Sequence, residues 1–186
     1  IPPFVFFFAL LYPFSWSNNR RRTTAAAAGG CVLLRRSAYE RIGGYAAIRD
    51  ELIDDCALAA MVKKSGGSIW LGLTPGTESL RPYPEIADIW NMVARTAYTQ
   101  LHYSPFLLAA TVVGLVLTYL APVLLLFAGG TAGLLGLGAW LIMAGAYAPM
   151  LRFYGRSRLW APLLPAAASV YLGATVASAW RHWRGR

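Results

Sequence analysis

The sequence predicts an α/β region over residues 1–104, followed by an all-α transmembrane region of about three helices over residues 105–186. Three observations carry this prediction. The chain is 57% hydrophobic and only 13% charged, with a mean hydropathy of +0.47, whereas soluble domains run near a quarter charged. The charge is also divided unevenly: residues 1–104 hold 11 Lys/Arg and 8 Asp/Glu, while residues 105–186 hold 6 Arg and no acid. Finally, Tyr103 to Leu151 is uncharged over 49 residues, roughly two bilayer crossings at about 20 residues each.

Residues 1–16 are apolar and aromatic, but Pro2, Pro3 and Pro13 leave no clean run long enough to cross a bilayer. The segment also lacks the basic start and small-residue cleavage site of a signal peptide. It reads as an interface-lying segment with its rings at headgroup depth, followed by the basic loop Asn18-Asn19-Arg20-Arg21-Arg22. Cys31 to Leu34 is a short buried-strand candidate. Ser37 and Glu40 have the spacing of a capping box, in which each side chain satisfies the other residue's free backbone N–H. The helix they open stops at Gly43-Gly44, a left-handed cap signal. A second helix begins at Asp54-Asp55 and ends with Lys63, Lys64 and Gly66, so its charges complement the helix dipole. Ser68 to Leu73 is a further strand candidate.

Pro84 begins a third helix. Its stripe of Ile86, Ile89, Trp90, Val93, Ala94, Ala97 and Leu101 at 3.6-residue spacing predicts a helix lying on the bilayer surface with that stripe inward. Membrane spans are expected near 106–128, 131–151 and 159–180, with the first break at Gly129-Gly130. Pro162 and Pro165 make the start of the third span irregular. Gly133, Gly136, Gly138 and Gly145 suit close helix–helix contact in lipid. Two crossings return the chain to the side it left, so the first half and the loop holding Arg152, Arg156 and Arg158 share a side. Both are arginine-rich, which makes that side the cytoplasm.

The chemistry-bearing residues are few. Cys31 and Cys56 are widely spaced, without a Cys/His cluster, and read as reduced thiols rather than a disulfide or zinc site. The basic excess sits beside apolar spans, so it reads as topology signal or lipid-headgroup contact and not as a nucleic-acid surface. No P-loop, dinucleotide fingerprint, zinc-protease helix or nucleophile elbow occurs. His102 and His182 lie at the edges of membrane segments, as interfacial side chains do. Asp54-Asp55 is the informative pair. It is either an N-cap with a first-turn acid, or a carboxylate held ionised by the dipole to take a proton from an acceptor hydroxyl.

The run from Gly29 to Gly44 (GGCVLLRRSAYERIGG) resembles the acceptor-side region of family 2 glycosyltransferases. Asp54-Asp55, Ala57-Leu58-Ala59 and Lys64 to Ile69 follow it in that family's order. Within the family, the strings AAAAGGC, IDDCALA and VARTAYTQL are most similar to bacterial hopene-associated enzymes. The resemblance implies a partial GT-A fold, its acceptor-side half, in residues 1–104, and an inverting transfer from a nucleotide sugar to a lipid, hopanoid-related acceptor. Asp55 occupies the position of the catalytic base and Asp54 that of the preceding acid. Gly30, Cys31, Arg35, Arg36 and Arg95 fall at substrate-binding positions. A divalent metal, Mg2+ or Mn2+, is implied as well, yet its D-x-D ligands are absent from these 186 residues.

The chain therefore reads as the C-terminal part of a multi-pass inner-membrane enzyme with its catalytic part cytoplasmic, and is expected to be inactive alone. Thr96 stands where many membrane members carry a Trp after the motif Arg, which speaks against a processive, polysaccharide-making enzyme. The alternatives are the same chemistry on a sphingolipid or carotenoid, and a non-catalytic membrane interaction protein derived from the family. Nucleotide sugar, lipid acceptor and membrane lipids are the expected partners.

Overall fold

The computed structural model describes residues 2–77, 83 and 85–185. The chain divides into two compact units, one of Phe4–Pro82 and one of Ile1–Pro3 with Tyr83–Arg186.

The first unit is built from helices and loops. Helix α1 (Pro2–Leu11) is apolar at every position, and α2 (Phe14–Ser17) follows after Pro13. Helix α3 (Arg36–Arg41) is followed by a 3-10 turn over Tyr45–Ile48, and α4 covers Asp54–Lys64. Ile42, Ile48, Leu58 and Val62 form the core, with Leu34, Met61 and Ile69 packed against it.

The α/β expectation is corrected here. No strand occurs among the described residues, so residues 1–104 do not form the acceptor-side half of a GT-A fold. Neither strand candidate takes up regular structure, and a ladder needs a partner to satisfy its backbone groups. The segment expected to be buried is exposed instead: Cys31 and Val32 are open and Leu33 is wholly so. In the second segment the side chain of Asn18 takes the place of a neighbouring strand. Its Nδ2 donates to the Leu71 carbonyl at 2.9 Å, and its Oδ1 accepts from the Leu71 N–H at 2.6 Å.

The Ser37–Glu40 capping box does not form either. Arg35 is the N-cap residue of α3 and makes no side-chain cap, while Glu40 pairs with Arg36 one turn away at 2.7 Å. Gly43 and Gly44 do end the helix with positive φ (81° and 65°). Gly44 meets a second constraint, because a Cβ there would lie 2.7 Å from the Tyr39 ring.

The second unit is helical throughout its described residues. Helix α5 (Ile86–Gln100) starts with the Glu85 N–H donating to Asp88 Oδ2 at 3.2 Å; Pro84, expected to open it, lies outside the described residues. Three helices long and apolar enough to span a membrane follow: Pro105–Ala128, Gly130–Phe153 and Arg158–Trp183. They match the expected spans to within a few residues. The first comprises α6 (Pro105–Leu115), a π-helical turn (Val116–Leu120), α7 (Ala121–Leu125) and a final 3-10 turn. The wide turn precedes Pro122, which has no N–H to give the preceding turn. The second is α8 (Gly130–Phe153). The third opens irregularly, as Pro162 and Pro165 require, with a 3-10 stretch over Arg158–Leu163 before α9 (Leu164–Trp183). Large apolar side chains such as Phe127, Leu134, Ile142 and Leu159 point outward, as lipid-facing residues do.

Most of the apolar stripe of α5 packs against its own unit, while Ile86 at its start is 70% exposed. Val93 and Ala94 pack on Ala174 of α9, joined by Ile89, Trp90 and Ala97. Tyr98, 1% exposed, packs on Ala179 and Leu108. The glycines expected at helix contacts separate into two kinds. A Cβ on Gly136 would meet the Pro122 carbonyl oxygen at 2.6 Å and the Leu125 Cβ at 2.8 Å, whereas Gly138 and Gly145 face open space. Gly136 is thus where α8 meets α7. Gly136→Ala should cost about 1–3 kcal/mol, the usual range for overpacking. Gly138→Ala, with nothing within 4 Å, should be neutral or slightly stabilising. Thermal unfolding of both variants in detergent, read by circular dichroism, checks the difference.

Candidate functional site

The acidic pair opens α4, and its two members differ. Asp54 is exposed, and its Oδ1 accepts only from the next residue's N–H, at 3.0 Å. Asp55 is half-buried; its Oδ1 accepts from the Cys56 N–H at 2.7 Å and its Oδ2 from the Gly29 N–H at 2.8 Å. The Asp55 carboxylate therefore bridges the first turn of α4 to a turn 26 residues earlier in sequence. That turn closes with the Cys31 N–H on the Ala28 carbonyl at 3.0 Å. A Cβ on Gly29 would sit 3.2 Å from Asp55 Oδ2, so the glycine lets the backbone come close. Neither aspartate is the N-cap residue, since Ile53 holds that place.

The chain runs from this turn past Cys31 into an open cleft of about 420 Å³. Val32, Leu33, Leu34, Tyr39, Tyr45 and Leu58 line it, and Arg36 adds the one charged group. Leu58 lies one helical turn beyond Asp55, so cleft and carboxylate share a side of α4. Tyr39 and Tyr45 stand 5.8 Å apart by ring centroid, and the Tyr39 hydroxyl accepts from the Tyr45 N–H at 3.2 Å.

Of the residues expected at the site, Gly30, Cys31, Arg35, Arg36, Asp54 and Asp55 all fall in the Phe4–Pro82 unit. Arg35 is exposed, while Arg36 is exposed and paired with Glu40. Arg95 belongs to the other unit, exposed on the face of α5 away from its packed stripe. Sequence reasoning missed Gly29, which contacts the carboxylate where Gly30 does not, and the Tyr39–Tyr45 pair. The signal for the tyrosines was present: aromatic rings on either side of Gly43-Gly44 need a glycine turn to meet.

Cys31 and Cys56 are free, as expected, but only Cys56 is sheltered. Burial raises its thiol above the usual range and the neighbouring Asp55 charge adds to this; a backbone hydrogen bond from Ala27 and a side-chain one from Tyr12 act the other way. A thiol so held is a poor nucleophile. No three His, Cys, Asp or Glu side chains converge among the described residues, so these residues do not build a site for the Mg2+ or Mn2+ that the resemblance implies.

The family model for glycosyl transferase family 21 matches residues 5–186. The chain belongs to this family of glycosyltransferases, and the match does not extend to the family 2 or hopene-associated assignment expected from its motifs. Neither the curated proteins nor the solved structures hold a match.

Exposure and thiol acidity together order the cysteines. Iodoacetamide near pH 8 should modify Cys31 well before Cys56, as read by mass spectrometry of timed digests; equal rates would mean that the Tyr12–Cys56 contact opens freely.

Proposed function

We propose that this chain, a member of glycosyltransferase family 21, serves transfer of a sugar from a nucleotide sugar to the hydroxyl of a membrane lipid. The observation that carries the reading is the half-buried Asp55 carboxylate, fixed between the Gly29 turn and α4 in a chain with three membrane-length apolar helices. A hexose donor and a hopanoid-related or sphingolipid acceptor fit this chemistry.

In this mechanism the acceptor O–H gives its proton to Asp55 while its oxygen forms a bond to the anomeric carbon. The bond from that carbon to the diphosphate oxygen breaks, and the nucleoside diphosphate leaves with the electron pair from the opposite face. A carboxylate has about four lone-pair sites, and backbone N–H groups use two of them in Asp55. The others remain for the hydroxyl. Asp54, bonded only within its own turn, orients the start of α4. Gly30 and Cys31 let the substrate approach beside the carboxylate, and the apolar lining of the cleft takes the lipid end of the acceptor. Arg35, Arg36 and Arg95 supply positive charge toward the anionic donor. The reaction is placed at the cytoplasmic face of the cell inner membrane, the side given by the arginines of the first unit and of the 152–158 loop.

In the full-length enzyme, Asp55→Asn should lower transfer by roughly 10²–10⁴, the usual worth of general-base help. It should cost about 1–3 kcal/mol of stability, because the amide keeps one acceptor oxygen and loses the other. Asp54→Asn should slow transfer far less. Nucleotide release in membranes, assayed over a panel of nucleotide sugars with hopanoid and sphingolipid acceptors in separate arms, measures both. Equal losses in the two variants would return the pair to a structural role. In a separate test, Arg156→Cys should react with an impermeant maleimide only once the cytoplasmic side of the membrane is exposed; labelling from the outer side of intact cells would reverse the orientation.

A further inference from the structure

Helix α1 has ten residues, about 15 Å of helix against a hydrocarbon core of about 30 Å. It is too short to cross, yet none of its residues is buried. Leu10 and Leu11 are 56% and 53% exposed, and Trp16 in α2 is 48% exposed. An apolar surface of this kind in water is unfavourable and marks a contact with something apolar.

The residues that follow say what that contact is. Arg20, Arg21 and Arg22 are all exposed, directly after α2. The Arg22 guanidinium lies 5.0 Å from the Trp16 ring centroid, so cation and indole are adjacent. No acid precedes Glu40 in the sequence. Apolar rings beside uncompensated arginines complement a bilayer with anionic headgroups. A free phosphate would answer the arginines but leave Leu10, Leu11 and Trp16 facing water.

The segment is tied to α4 near both ends of that helix. Tyr12 shares a side-chain hydrogen bond with Cys56, the residue after Asp55. At the other end, Lys63 Nζ donates to the Ser17 carbonyl at 2.9 Å and to the Thr24 carbonyl at 2.7 Å. Asn18 and Arg20 add bonds to the Leu71 and Gly66 carbonyls just beyond α4. Whatever depth the α1–α2 segment takes, α4 and its Asp55 take with it.

We infer that residues 2–22 dock on the anionic lipid surface of the bilayer and thereby hold Asp55 at headgroup depth, where the hydroxyl of an amphiphilic acceptor is presented. The docking rests on the apolar and basic surface alone, while its catalytic consequence rests on the transferase reading given above. Anionic lipid is then a positional activator of the reaction.

The test uses the whole protein in vesicles of phosphatidylcholine alone, or with about a third phosphatidylglycerol. Leu10 is replaced by an environment-sensitive fluorescent amino acid, and iodide serves as the aqueous quencher. In anionic vesicles the emission should shift to the blue and resist iodide; in zwitterionic vesicles it should do so much less. Arg21→Gln with Arg22→Gln should weaken docking by about fivefold per arginine. Raising the salt should do the same to the unmodified arginines, which keeps the test decisive if the double variant folds poorly. Emission indifferent to lipid charge and to salt overturns the inference. Transfer measured in the same vesicles separates the two readings: docking without transfer under any lipid overturns the transferase alone, and transfer with a label that stays in water overturns the docking alone.

Discussion

Lys63 is the side chain on which the first unit depends. Its ammonium reaches the carbonyls of Ser17 and Thr24 at 2.9 and 2.7 Å, and that of Trp16 more weakly at 3.4 Å. Burial lowers the Lys63 pKa from its ordinary value, the signature of an ammonium partly stripped of water. No carboxylate accompanies it in these bonds, so the backbone itself supplies the compensating oxygens. Hydrogen bonds to a charged group contribute about 1.5–3 kcal/mol. Removing the ammonium would leave carbonyls of the α2–Thr24 segment without donors and free that segment from α4.

The same rule recurs wherever this chain lacks a ladder. A half-buried backbone group must be satisfied, and here side chains do what strands do elsewhere. Asn18 serves both groups of Leu71, and Asp55 serves Gly29. In the second unit, where lipid would offer no water, Trp140 Nε1 donates to the Pro162 carbonyl at 2.9 Å, within the 3-10 stretch that opens the third span. Ser178 Oγ accepts from the Tyr98 N–H at 3.0 Å, and the Tyr98 hydroxyl donates to the Tyr103 carbonyl at 2.7 Å. The turn after α5 needs that last bond. His102 and Tyr103 both have positive φ there, 50° and 54°, a strained state for residues with a Cβ. Stacking of Tyr103 on His182, 4.4 Å between centroids, helps hold it.

Most local signals were legible in the sequence, the Ser37–Glu40 capping box excepted, and pairing signals were not. The uncharged runs placed all three spans, because length and apolarity alone decide whether a helix can cross. Helix α4 was readable from acids at one end and bases with a glycine at the other. The two strand candidates had strand composition, but a strand is a relation between two segments, and nothing in Cys31–Leu34 says whether a neighbour lies beside it. Most of the α5 stripe was legible but its partner α9 was not, for a related reason: an apolar face packs on lipid or on another helix by the same chemistry. Gly173, whose Cβ would meet the Trp90 ring at 2.6 Å, marks the place where α9 accepts it. At the site, spacing alone singled out Asp54-Asp55 and the family resemblance set Asp55 apart as the base; the contact that distinguishes it in the fold is Gly29, brought close only by folding.

That difference also dissolves the choice between helix cap and base. A first-turn carboxylate bonded only to its own helix, as Asp54 is, can leave that geometry by rotating one side chain. Asp55 cannot do so without also releasing the Gly29 N–H, so its oxygens stay fixed while lone pairs remain open. Fixed position is what general-base catalysis needs most, since the proton must be met at hydrogen-bond distance in the transition state. The cap-like bonds of Asp55 are therefore not an alternative to a catalytic role. In the proposed transfer they are the means by which a flexible carboxylate on a short helix would be held still enough to take the proton.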